Sequence, residues 1–126
     1  MKADGADPRE LLEAASALLR LSDSATAGLW PRASALLALE ALETSIDRLW
    51  QRESLEFARC SMRTQLICLR SYLVEVPLAA RASLAWSALS RASHHHAYEL
   101  APTAAELESW FVVVGELIGA QPSPRA

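Results

Sequence analysis

Alanine and leucine dominate this chain: 24 of the first and 21 of the second among 126 residues, against 5 valines, 3 isoleucines and 4 threonines. Ala and Leu lose little side-chain freedom in a helix, whereas the β-branched residues that suit a pleated sheet are scarce. A sandwich, a barrel or a doubly wound sheet is therefore disfavoured. The length is that of a single domain. At 52% hydrophobic and 21% charged, the chain is too apolar to be disordered throughout. The expected fold is an all-α, up-down bundle of four to five helices over residues 7–119, with disordered ends at 1–6 and 120–126.

Local punctuation places the helices. Asp7-Pro8-Arg9-Glu10 opens the first: Asp7 can cap, Pro8 suits the first turn and Glu10 can return to the cap backbone. It runs to about Leu21 with Leu11, Leu12, Ala15, Leu18 and Leu19 on one side. Residues 22–28 form a flexible connection. The second helix starts near Trp30-Pro31 and reaches about Gln51. Its packing seam is Ala35, Leu39, Leu42, Ile46 and Leu49, with Glu40, Glu43 and Asp47 turned away from it. A third helix is expected from Ala58 to Leu73, with Met62, Leu66, Ile67 and Leu69 apolar. Val76-Pro77 begins a fourth, marked by Leu78, Ala82, Ala85, Trp86 and Leu89. It ends before Ala101, which precedes a proline. Thr103-Ala-Ala-Glu106 is a capping box for the last helix, whose buried face is Leu107, Trp110, Phe111, Val114, Leu117 and Ile118. Gly119 is a plausible stop.

Residues 1–28 carry Lys2, Asp4, Asp7 and Glu10 and lack the long apolar stretch of a signal peptide; no run approaches a membrane span. Cys60 and Cys68 lie eight apart in one expected helix, a rise of about 12 Å, too far for a disulfide. Both are expected to be reduced and buried, and the protein cytoplasmic.

The net charge of −3 argues against a generic nucleic-acid coat, but residues 57–98 hold Arg59, Arg63, Arg70, Arg81 and Arg91 against Glu75 alone. That stretch carries +4 and the remainder −7. Around one continuous helix Arg59, Arg63 and Arg70 fall within about 40° of each other, a basic stripe suited to an RNA backbone or to the acidic second helix.

The unusual segment is Arg91-Ala-Ser-His94-His95-His96-Ala-Tyr98, which contains all three histidines and one of the two tyrosines. As metal ligands three consecutive histidines are poorly arranged, because adjacent helical positions point about 100° apart. Neither partner thiolates nor a His-Glu-x-x-His spacing accompanies them. No metal site and no cofactor are expected. As a structural turn, His and Tyr can satisfy exposed helix ends. As a reactive cluster, an arginine, a histidine titrating near neutrality and a tyrosine combine phosphate handling with acid/base chemistry.

Arg91, His96 and Tyr98 match R-x4-H-x-Y, and on that motif the chain resembles HEPN domains, a family of small helical ribonucleases. It is most similar to the toxin half of HEPN/nucleotidyltransferase toxin–antitoxin pairs. Beyond the motif the likeness is in helix number, length and order. The resemblance implies a metal-independent endoribonuclease acting as a homodimer, a toxin or RNA-targeting defence factor. Arg91 would hold the scissile phosphate, and His96 would act as general acid/base while the RNA 2′-hydroxyl attacks to leave a cyclic phosphate. Tyr98 would shape the site and be the target of a nucleotidyltransferase antitoxin, with His94 and His95 in support. In one continuous helix Arg91 and His96 would point about 140° apart, so their convergence needs the helix to end between them or a partner chain to supply one. The residue after the arginine is polar in active members and is Ala92 here. The alternative is accordingly a non-catalytic HEPN-like dimeric module binding RNA, a nucleotide or protein.

Overall fold

The computed structural model describes residues 7–21, 30–94 and 102–120. It is all-α: α1 (Pro8–Arg20), α2 (Trp30–Glu53), α3 (Leu55–Ala58), α4 (Met62–Cys68) continued by a 3₁₀ turn (Leu69–Ser71), α5 (Val76–Ser93) and α6 (Ala104–Ile118). Among the described residues there is no strand, and no helix is long and apolar enough to cross a membrane.

The four long helices run up, down, up, down. The Ser34 hydroxyl donates to the Ala15 carbonyl at 2.8 Å, while Pro8 and Leu49 line one cleft, so α1 and α2 are antiparallel. The ion pair between Arg81 and Glu116, together with the wall shared by Leu78 and Gly119, makes α5 and α6 antiparallel. The Trp86 indole donates to Glu43 Oε2 at 2.9 Å and ties α5 to α2. The two expected caps form, at α1 through Asp7 without the return bond expected of Glu10. Asp7 caps α1 by accepting from the Arg9 N–H, and Thr103 and Glu106 make both bonds of the capping box.

Ala35, Leu42, Ile46 and Leu49 of the expected seam are buried and Leu39 is half-buried; Ser34, Ala38, Ala41 and Trp50 join them. The buried face of α2 is wide because α1, α5, α6 and the α3–α4 segment all pack on it. On α6 Val113 is buried beside Phe111 and Val114, while Trp110 and Ile118 are half-buried.

The single third helix expected over 58–73 is not there. The Ser54 hydroxyl accepts from the Phe57 N–H at 3.4 Å to start α3, and the Ser61 hydroxyl accepts from the Thr64 N–H at 3.2 Å to start α4. Such side-chain caps offer the backbone an alternative to a continuous helix. Gln65 secures the break: its amide Nε2 donates to the carbonyls of Ala58 at 3.2 Å and Cys60 at 3.0 Å. Two consequences correct the sequence reading. The apolar Ile67 is exposed, and Cys60 and Cys68 are half-buried free thiols, the first in the bend between α3 and α4 and the second at the end of α4.

Candidate functional site

Of the motif, Arg91, Ala92, Ser93 and His94 are described; His95, His96 and Tyr98 lie outside the described residues, as do residues 1–6 and 121–126 of the expected disordered ends, whereas Ala120, expected in the tail, is half-buried. Arg91 occupies the last turn of α5 and is exposed, a position where a cation offsets the negative end of the helix dipole. The helix closes at Ser93, and the His94 N–H donates to the Arg91 carbonyl at 3.1 Å as the chain turns. His94 has φ −111° and ψ 33°, outside helical values, and is exposed. The α-helix therefore ends between Arg91 and His96, which removes the continuous-helix geometry that would have held the two about 140° apart.

Between those exposed residues the chain faces inward. Ala92 is 7% exposed within the hydrophobic core, and the Ser93 hydroxyl is buried and donates to the Leu89 carbonyl at 2.8 Å. The position after the arginine thus packs against the bundle in this chain and presents no group to solvent. α6 starts from Thr103 across the loop, so both ends of the intervening segment are capped at the same end of the bundle.

Arg59, Arg63 and Arg70 are all exposed, but they do not form one helical stripe. Arg59 caps the end of α3, Arg63 lies in α4 and Arg70 in the 3₁₀ turn. Nor do they adjoin the motif. Trp86 meets Glu43, so Arg91, five residues on, stands level with about residue 38 of α2, at ~1.5 Å per residue. Trp50 of α2 donates to the Gln65 carbonyl, which seats α4 beside residue 50. The basic segment is therefore displaced from Arg91 by roughly 18 Å along the bundle. Among the described residues none of these three arginines pairs with the acidic side of α2; Glu43 is engaged by Trp86 and Asp47 by Gln51.

No protein-family model, curated protein or solved structure matches the chain.

Proposed function

We propose that this chain is a HEPN-type helical domain that acts on RNA as a metal-independent endoribonuclease, assembled as a homodimer with motifs from two subunits facing one cleft. One observation carries the reading: the R-x4-H-x-Y sequence falls where α5 stops, with Arg91 and His94 both exposed at the break. In this reading Arg91 neutralises the phosphate, His96 moves the proton as the 2′-hydroxyl attacks, and Tyr98 lines the site. A guanidinium aimed at charge growing on phosphate oxygens commonly contributes about 10²–10³-fold in rate.

The burial of Ala92 favours a second reading, a dimeric HEPN-like module that binds RNA, a nucleotide or a protein without cleaving. A buried methyl there gives the exposed surface one polar group fewer than active members of the family carry.

Both are separated by incubating RNA with wild type, Arg91→Ala and His96→Ala proteins in excess chelator. Cleavage leaving cyclic phosphate ends, reduced about 10²-fold or more in each variant, supports the nuclease. Activity that survives both substitutions, or that needs an added metal ion, refutes the assignment. Binding without cleavage selects the module. A toxin role adds growth arrest on expression, relieved by a nucleotidyltransferase partner that modifies Tyr98.

A further inference from the structure

The end of the bundle opposite Arg91 holds a concavity that neither the motif nor the core accounts for. It measures about 590 Å³ and opens where the start of α1 meets the last turns of α2 and α6. Its floor is apolar and fixed, from buried Leu49 and Leu117 and half-buried Ile118. Its rim carries three exposed guanidiniums, Arg9, Arg48 and Arg52. Among the described residues the only carboxylate lining it belongs to Asp7, and one of its oxygens is already held by the Arg9 N–H at 3.0 Å. Among the described residues none of the three arginines makes an ion pair.

Packing alone does not favour this arrangement. Arg48 and Arg52 are four apart on α2, neighbours on one helix face, where like charges repel. The favourable dipole at the end of α2 accounts for Arg52, in its last turn, but not for Arg48. It does not account for Arg9, which sits in the first turn of α1, at the end where a helix dipole disfavours a cation. The carbonyls ending α2 and α6 on this rim supply about half a negative charge each and Asp7 one more, against three full positive ones. An anion seated among the three relieves each of these terms at once.

We propose that this cleft binds a phosphorylated small molecule carrying at least two phosphate charges on an apolar body. Arginine forks match phosphate oxygens in pairs, Leu49, Leu117 and Ile118 offer an apolar seat, and the volume lies in the ~300–1,000 Å³ range of small-molecule sites. The site is separate from the one proposed for RNA, at the other end of the helices, so each stands or falls by its own measurement.

Isothermal titration of the full chain with ADP, pyrophosphate and orthophosphate tests it, with folding of each variant followed by far-UV circular dichroism. ADP should bind more tightly than orthophosphate. Arg9→Gln should weaken ADP about tenfold and Arg48→Gln/Arg52→Gln more than tenfold, since each removes a charged hydrogen-bond donor. Arg32→Gln, which removes an exposed charge from the opposite end of α2, should leave affinity unchanged. The proposal is overturned if ADP and pyrophosphate give no binding up to about 10 mM, a level above which affinity is negligible. It is also overturned if orthophosphate binds as well as ADP, if the Arg9 and Arg48/Arg52 variants bind as wild type does, or if a short RNA binds the cleft and ADP does not.

Discussion

Trp50 is the residue on which the α3–α4 segment is seated, and replacing it should show how strongly. Its side chain is fully buried, its indole N–H donates to the Gln65 carbonyl at 3.3 Å, and its ring lies 5.0 Å from Phe57 and 4.5 Å, edge-on, from Tyr72. A buried Trp→Ala change costs about 3–5 kcal/mol from lost transfer energy and the remaining cavity. Two aromatic contacts of ~0.5–1.5 kcal/mol each and the lost indole hydrogen bond, the Gln65 carbonyl keeping its bond from the Leu69 N–H, place Trp50→Ala at the upper part of that range, about 4 kcal/mol. A domain of this size is stable by roughly 6–19 kcal/mol, so the variant still folds if the wild type is not at the lower limit. With a urea m-value of about 2 kcal/mol/M, the midpoint falls by about 2 M. Trp50→Phe keeps an apolar ring but loses the donor, and should cost about 1–2 kcal/mol. Because Gln65 also holds the Ala58 and Cys60 carbonyls, hydrogen exchange should accelerate through α4 more than through α6 in both variants. A loss below about 1.5 kcal/mol for Trp50→Ala at unchanged m would show that α3 and α4 are held by something other than this contact.

Two smaller changes test the helices that flank the candidate site. Thr103→Ala removes one arm of the capping box, the hydroxyl that accepts from the Glu106 N–H at 3.1 Å; it should cost about 1 kcal/mol, roughly 3–5 °C in melting temperature, and Thr103→Ser should recover most of it. Gly115→Ala runs the other way: a Cβ there meets Leu12 Cδ2 at 3.6 Å, an ordinary contact, so the helix-propensity gain of about 0.5–1 kcal/mol should appear as a higher urea midpoint, and a destabilised variant would mean that α1 and α6 approach more closely than this distance allows.

Much of the bundle was legible because its long helices announce themselves locally. Asp7-Pro8, Val76-Pro77 and Thr103/Glu106 set three helix starts, and the apolar spacing of α2, α5 and α6 points inward most of the residues the fold buries, with Leu39, Trp86, Trp110 and Ile118 half-buried. The α3–α4 break was harder because apolar periodicity runs through it: Ala58 on one side and Met62, Leu66 and Leu69 on the other keep helical spacing. What interrupts the helix is two serine hydroxyls and the clamp of Gln65, and the second depends on a side chain finding carbonyls five and seven residues back. Ser54 and Ser61 were visible as cap residues; their competition with a continuous helix was decided by packing against Trp50. At the candidate site the break after Arg91 was a condition that the motif required, and the inward turn of Ala92 and Ser93 is information only the packed bundle holds.

The same topology redraws the electrostatics. Counted along the chain, residues 57–98 form a +4 stretch that contains both Arg91 and the Arg59, Arg63, Arg70 group. In the up-down bundle that stretch is split, because α5 carries Arg91 away from the level of α4. Meanwhile Arg9 and the Arg48/Arg52 pair, which belong to the acidic remainder of the sequence, arrive at one cleft in the same half of the molecule as α4. A charge window measures proximity along the chain, whereas antiparallel neighbours bring together residues about forty positions apart. An RNA held by Arg91 can therefore reach Arg59, Arg63 and Arg70 only by running along the bundle for roughly 18 Å, about five phosphates at ~3.4 Å per step. A shorter RNA would depend on Arg91 alone, so substituting the three arginines should weaken a long RNA and leave a dinucleotide untouched.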